Sequence, residues 1–172
     1  MNLTTAIMNR TLISCDPGAH GFLCAYNPDK DTRAYLSIED STRAEIAHFL
    51  RDLASVSKCT AIMEEIHAIV NSSAKATFAF GEIFGFLKGL FTALDIPYAL
   101  VPPKTWQSEI WINSDKVFKE GKKVDTKKTS INAATRLFPT IDFRKNDRCR
   151  TIDDNKVDAT LIGEYARRKG LL

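Results

Sequence analysis

The segment TLISCDPGAHGFLCAY, residues 11–26, is the part of this chain from which the fold can be read. It contains two short apolar runs, residues 11–16 and 21–26, separated by four residues that include Pro17 and Gly18. Short apolar runs bounded by Pro and Gly are typical of buried strands joined by a turn. The segment therefore predicts a β-hairpin whose first strand ends at Asp16.

Further elements extend this hairpin into a sheet. Residues 33–38 form a candidate third strand, and Ser41 or Thr42 can cap a helix that continues through Val56. The apolar run at residues 59–63 then has the length of a strand buried on both faces, and it leads directly into Glu64. Three strands, a helix and a fourth strand predict an α/β layer with a mixed sheet.

The second half of the chain alternates apolar and basic segments. Its 172-residue length, with 44% hydrophobic and 26% charged residues, suits a single domain over residues 1–172. The predicted elements are a helix at 74–94, a strand at 98–101 ended by Pro102 and Pro103, a basic loop at 116–123, a helix at 127–137, an exposed loop at 143–150 and a last helix at 153–168.

The cysteines and the N-terminal sequence predict a cytoplasmic protein, or a nuclear one if the host has a nucleus. None of the four cysteines forms a CxxC pair, and three lie in apolar runs, where a reduced thiol acts as a small hydrophobe. The N-terminal MNLTTAIMNR lacks the apolar stretch of a signal peptide. The apolar region at 74–100 is interrupted by charges and by Pro97, so no membrane span is expected.

The predicted helix at 74–94 is rich in phenylalanine and apolar on nearly all sides. Phe78, Phe80, Phe84, Phe86 and Phe91 fall around its circumference. A small domain has little surface with which to cover such a helix. We therefore expect a homodimer that contacts through this helix, the alternative being a helix buried within one chain.

Carboxylates at the ends of predicted elements form the candidate catalytic group. Asp16 and Glu64 end two strands, and Asp154 and Asp158 lie four residues apart on one face of the last helix. Taken singly, each acid also fits ordinary turn or helix-end chemistry. Together they would repel one another unless cations bound, and oxygen-only ligands suit Mg²⁺ or Mn²⁺. Two such ions about 4 Å apart are a common device for phosphodiester hydrolysis.

Three motifs, in order along the chain, resemble the RuvC family of Holliday junction resolvases, most closely its phage-type branch. They are ISCDPGAHG at 13–21, IMEEIHA at 62–68 and DDNKVDATLIGEYARR at 153–168. The segments FAFGEIFGFLKG at 78–89 and VPPKTW at 101–106 also resemble the family, so the similarity extends over nearly the whole chain. It implies a ribonuclease H-like α/β fold, with a five-stranded mixed sheet flanked by helices.

The activity that this resemblance implies is paired symmetric nicking of four-way DNA junctions by a homodimer with two Mg²⁺ ions per site, Mn²⁺ being able to substitute. Carried over by position, Asp16, Glu64 and Asp158 are metal ligands. Bacterial members carry Asp or His where this chain has Asn155. Phage-type members instead have an Asp/His pair slightly earlier, which matches Asp153 and Asp154.

Asp154 is the preferred fourth ligand because its spacing places it on the face of Asp158, with Asp153 in reserve. Two other positions depart from the family. His67 stands where bacterial members have an aromatic residue that stacks on a junction base, and Gln107 stands where the branch tends to have Lys. Trp106 and Trp111 are expected to be core or interface anchors rather than platforms for bases.

The charge distribution fits a nucleic-acid partner. Residues 1–101 carry eight Lys/Arg and eleven Asp/Glu, net −3, whereas residues 102–172 carry sixteen and ten, net +6. Residues 116–150 alone hold eleven Lys/Arg against four Asp/Glu, which favours a phosphate-binding surface over a merely solvated one. The candidate DNA-contacting residues are Lys104, Lys122, Lys123, Lys127, Lys128, Arg144, Lys145, Arg148 and Arg150.

Two other hypotheses stay open at this point. The same fold can support a nuclease for flaps, replication forks or RNA–DNA hybrids. A nucleic-acid-binding domain without catalysis is the second, although the acids at Asp16, Glu64 and Asp158 argue against it. The compact size and the phage-type resemblance suggest a viral protein acting in the cytoplasm of its host.

Overall fold

The computed structural model describes residues 9–65 and 73–171. Its centre is a single five-stranded sheet in the order β3-β2-β1-β4-β5. The strands are β1 (Arg10–Asp16), β2 (Phe22–Asn27), β3 (Thr32–Ser37), β4 (Lys58–Glu64) and β5 (Tyr98–Val101). The first three strands pair antiparallel, whereas β4 pairs parallel with both β1 and β5. The predicted hairpin and the predicted five-stranded mixed sheet are both confirmed.

Five helices flank the sheet: α1 (Arg43–Val56), α2 (Ala74–Ala93), α3 (Pro103–Ile110), α4 (Thr126–Leu137) and α5 (Asp154–Arg168). Thr42 caps α1 in a reciprocal capping box with Glu45, and Ser73 caps α2. We did not predict α3, because Pro102 and Pro103 indicated only the end of β5. Pro103 occupies the first turn of α3, where the lack of an N–H costs nothing.

The two faces of the sheet carry different helices, and β1 contributes to both. Its successive side chains point to opposite faces. Ile13 and Cys15 pack in the core that includes α1 and α2, whereas Leu12 lies in the core built with α3, α4 and α5. Ile62 on β4 lies on the same side as Leu12. By this alternation the side chains at the ends of β1 and β4 face α5.

Helix α5 lies unusually close to β1. The Ser14 hydroxyl donates a hydrogen bond to the carbonyl oxygen of Ala159 at 2.7 Å. One turn further along α5, a Cβ atom added to Gly163 would lie 2.7 Å from Ser14 Oγ. Glycine suits this crossing, because an added Cβ would force Ser14 or α5 to move.

Two segments predicted as loops are more ordered than we expected. Residues 116–123, predicted as a basic loop, belong to a small hairpin in which Phe118 bridges Val124. The segment at 143–150 lacks regular structure, but its first residue, Phe143, is only 4% exposed and packs in the core beneath α5. An apolar side chain buried in this way anchors one end of the loop.

Helix α2 is covered on one side only. Ile83, Leu87 and Phe91 are buried against the sheet, whereas Phe78 is 75% exposed. Among the described residues, burial within one chain accounts for Ile83, Leu87 and Phe91 but not for Phe78. Within residues 9–65 and 73–171, no helix is both long and apolar enough to cross a membrane.

Replacing Gly163 with Ala should destabilise the fold, although Ala ordinarily stabilises a helix by about 1 kcal/mol relative to Gly. The added Cβ would clash with Ser14 Oγ. We expect a net loss of about 1–3 kcal/mol in urea unfolding. The double variant Ser14→Ala/Gly163→Ala should recover part of that loss relative to the sum of the single variants. Unchanged stability in Gly163→Ala would contradict the close packing.

Candidate active site

Two carboxylates meet where β1 and β4 end. Cys15 pairs with Met63 in the parallel register, so Asp16 and Glu64 follow side by side at the same edge of the sheet. The turn after Asp16 is tight, and the Gly18 N–H donates to Asp16 Oδ1 at 3.3 Å. A Cβ at Gly21 would lie 2.0 Å from the backbone oxygen of Asp16, which only glycine avoids.

Helix α5 brings the other predicted acids to this edge. Asp153 caps the helix by accepting hydrogen bonds from the N–H groups of Asn155 and Lys156 at 3.0 and 3.2 Å. Asp158, on the next turn, interacts electrostatically with both Asp16 and Glu64. Asp154 also raises the pKa of Asp16, although its own Oδ2 atom lies 2.6 Å from Lys127 Nζ.

Burial and mutual repulsion raise the pKa values of these carboxyls. The pKa of Asp16 rises from 3.8 to about 7, first because the group is desolvated and then because Glu64 is close. Burial also raises the pKa of Asp158, and the charges of Asp16 and Glu64 add to the effect. The pKa of Glu64 is likewise raised by burial. Strongly perturbed carboxyls that share one place are a marker of functional sites.

A hydrogen bond to Glu64 from Trp106 was not apparent in the sequence. The indole Nε1–H of Trp106 donates to Glu64 Oε1 at 2.7 Å, and this bond partly offsets the rise in the pKa of Glu64. Trp106 is fully buried, as expected of a core anchor, and stands edge to face with Trp111 at 6.0 Å between ring centroids. The sequence signal for the Trp106–Glu64 contact is that Trp106 follows soon after β5, the strand that pairs with β4.

The donor set fits a divalent cation, although the side chains are not already arranged around one. Across the described ranges, no group of three or more His, Cys, Asp or Glu side chains is arranged to hold a metal ion. Glu64 bonds to Trp106 and Asp154 pairs with Lys127 instead. However, Asp158 Oδ1 is buried without a hydrogen-bond partner within the part of the chain described. A buried carboxylate oxygen beside other acids is an oxygen ligand of the kind that Mg²⁺ prefers.

The nine predicted DNA-contacting residues divide into two groups. Three form ion pairs within the chain: Lys127 with Asp154, Lys145 with Glu39 and Asp40, and Arg144 with Asp142. The other six are exposed, namely Lys104, Lys122, Lys123, Lys128, Arg148 and Arg150. His67, at the position of the family's stacking aromatic, lies outside the described residues.

The order of the strands and the helices on both faces define a ribonuclease H-like α/β fold. Among solved structures, the chain is similar to RuvC. A Thermus thermophilus RuvC in complex with a Holliday junction substrate matches with a TM-score of 0.52 and 10% identity, over 94% of this chain and 96% of that one. Another Thermus thermophilus RuvC structure matches with a TM-score of 0.50 and 12% identity, over 93% and 96%.

The likeness to RuvC therefore lies in the fold, since so few residues are identical. No family model matches the sequence, and no curated protein matches it. The fold that the sequence motifs implied is confirmed by the architecture, whereas the motifs alone carry the closer resemblance to the phage-type branch.

Replacing Trp106 with Phe should raise the pKa of Glu64 further, because the lost hydrogen bond stabilises the ionised carboxylate. Glu64 would then stay protonated to a higher pH. The measurement is a ¹³C NMR titration of the Glu64 side-chain carboxyl carbon. Trp111→Phe is the matched control, since Trp111 Nε1 has no hydrogen-bond partner within the described ranges. Equal pKa values of Glu64 in the two variants would contradict the expected role of Trp106.

Proposed function

We propose that this chain is a metal-dependent DNA endonuclease that cuts branched DNA, with four-way Holliday junctions as its main substrate. The observation that carries the proposal is the meeting of Asp16, Glu64 and Asp158 at one edge of a RuvC-like sheet. A RuvC of the same fold has been solved with a Holliday junction substrate. The exposed basic residues supply the phosphate contacts that a structure-selective nuclease needs.

In this proposal, Asp16, Glu64, Asp154 and Asp158 hold the metal ions. When bound, two Mg²⁺ or Mn²⁺ ions supply activation of water and stabilisation of the leaving oxygen in phosphodiester hydrolysis. The chain's own part is to orient these carboxylates. Trp106 holds one oxygen of Glu64, which leaves the other for an ion. Asp153 is engaged in capping α5, which favours Asp154 as the fourth ligand.

Lys127 provides a positive charge beside the acids before any substrate binds. Its ammonium contacts Asp154, and the nearby acids raise its pKa. Because an exposed ion pair of this kind stabilises the fold little, the ammonium can exchange its carboxylate partner for a DNA phosphate at small cost. The neighbouring Lys128 is exposed at the same end of α4.

Paired nicks in two strands require two active sites, and a homodimer supplies them. The surface that we propose for dimerisation is the open side of α2. It carries the exposed Phe78, and Gly81, Gly85 and Gly89 recur there at every fourth residue with open space where a Cβ would lie. The phage-type branch and action in a host cytoplasm rest on the sequence and stay predictions.

The activity test compares the wild type with Asp16→Asn on a labelled synthetic four-way junction. The wild type should produce paired nicks only when Mg²⁺ or Mn²⁺ is added. The variant should cut roughly 10³-fold more slowly, because a lost metal ligand removes several kcal/mol of transition-state stabilisation. Asp52→Asn, an exposed acid on α1, is the matched control and should retain full activity. Equal cleavage by wild type and Asp16→Asn would refute the proposal.

The same assay separates the competing substrates and ligands. A flap, a replication fork and an RNA–DNA hybrid, offered in competition with the junction, should each be cut more slowly. If one of them is cut faster than the junction, that DNA form and not the junction is the main substrate. Binding that weakens with salt, without any cleavage, would identify a non-catalytic domain.

Asp154→Asn should lose more activity than Asp153→Asn, since Asn still caps a helix.

The dimer is tested by sedimentation equilibrium. The wild type should have about twice the chain mass of 19.2 kDa, and Phe78→Asp should shift it towards the monomer, because a charge would be buried without a partner. Val56→Asp is the matched control, since Val56 is 71% exposed at the far end of α1. A wild type that stays monomeric at micromolar concentration would contradict dimerisation through α2.

A further inference from the structure

The hairpin formed by residues 116–124, here called the basic hairpin, is held firmly at its base. Asp115, just before it, is 3% exposed and accepts hydrogen bonds from Arg136 Nε and Nη2 at 2.9 and 2.7 Å. The Val117 N–H donates to Thr129 Oγ1 at 3.1 Å, and the Asp125 N–H donates to the Val117 carbonyl at 2.7 Å. These bonds tie both ends of the hairpin to α4.

The tip of the basic hairpin is a tight turn. The Lys119 N–H donates to the Lys123 carbonyl at 2.8 Å, which closes the turn beyond the bridge between Phe118 and Val124. Gly121 and Lys122 adopt left-handed backbone angles, with φ of 80° and 63°. The hairpin therefore presents its side chains from a defined backbone rather than from an open loop.

The side chains on the basic hairpin combine positive charge with one aromatic ring. Four lysines are exposed on it, Lys116, Lys119, Lys122 and Lys123; the hairpin itself carries the acid Glu120, and Asp125 at its base lies 3.9 Å from Lys119 Nζ. Phe118 is 59% exposed among them, so much of its ring contributes nothing to the core. Lysines that bind phosphates, next to an exposed aromatic face that a base can cover, are the elements of surfaces that bind single-stranded nucleic acid.

The position of the basic hairpin favours DNA over an acidic protein as its partner. It leads directly into α4, whose Lys127 lies 2.6 Å from Asp154. Ser130, one turn further along α4, lies near enough to Asp158 to lower the pKa of that carboxyl against the effect of burial. A strand whose phosphate reached these carboxylates would lie beside the end of α4 from which the hairpin extends. The exposed ring of Phe118 offers a face that a base without a paired partner could cover.

We infer that Phe118 stacks on an unpaired base beside the strand to be cut, while the lysines of the basic hairpin bind the flanking phosphates. This inference rests on the proposed nuclease function and adds to it a residue that distinguishes branched or single-stranded DNA from a paired duplex. Paired bases are already stacked and offer Phe118 no free face. The lysines contact all DNA forms alike, because phosphates are common to them.

The test measures binding without cleavage, in the Asp16→Asn background. Fluorescence anisotropy gives the dissociation constants for a four-way junction, a single strand and a fully paired duplex at one salt concentration. Phe118→Ala should weaken binding to the junction and the single strand by about tenfold, within the range of base–aromatic stacking, and leave the duplex unchanged. Phe118→Trp should restore the lost affinity. Val56→Ala, which shortens another exposed apolar side chain, should change none of the three.

Lys122→Ala provides the contrasting result. This variant should bind all three DNA forms more weakly by a similar factor, and its binding should depend less on salt. The inference is overturned if Phe118→Ala lowers the affinity for all three DNA forms equally, or if it lowers the affinity for none of them. It is also overturned if Phe118→Trp fails to restore binding. Cleavage by the wild type is scored separately. A protein that binds as expected but never cuts would refute the nuclease and not the role of Phe118.

Discussion

The contact between α5 and β1 is the constraint on which the candidate site depends. Ser14 donates to the carbonyl of Ala159, and Gly163 leaves no side chain between the helix and the strand. Asp158 directly precedes Ala159, and Asp16 lies two residues beyond Ser14 on the same face of β1. The contact that seats the helix on the sheet therefore also sets how close Asp158 comes to Asp16.

This closeness has an electrostatic cost. The pKa of Asp16 is about 7 in the folded chain against 3.8 for an isolated carboxyl, so keeping the group ionised at neutral pH opposes folding. The penalty is absent below the unfolded pKa and grows as pH rises through the interval between the two values. A cation that binds only the folded state offsets it by mass action. The Lys127 ammonium already supplies one positive charge beside Asp154, and the Trp106 N–H stabilises ionised Glu64.

The elements of the fold were largely predictable because each is encoded locally. The apolar runs that became β1, β2 and β4 are short and bounded by turn residues, and Thr42, one of the two candidate caps, begins α1. The parallel pairing of β1 with β4 placed Asp16 beside Glu64, as the strand ends suggested. Helix α3 and the basic hairpin were missed. Their segments are short, and prolines and lysines there indicate breaks or loops more strongly than structure.

The sequence by itself determined which segments become strands and helices, and which acids stand at their ends, because periodicity and capping act between near neighbours in the chain. Only the tertiary structure decided which atoms these acids meet. The Trp106–Glu64 hydrogen bond, the Lys127–Asp154 ion pair and the Ser14–Gly163 crossing each join residues far apart in sequence. The tertiary structure also decided that Phe118 is exposed whereas Phe143, the same residue type, is buried. Such contacts depend on how whole elements pack, and no local pattern records them.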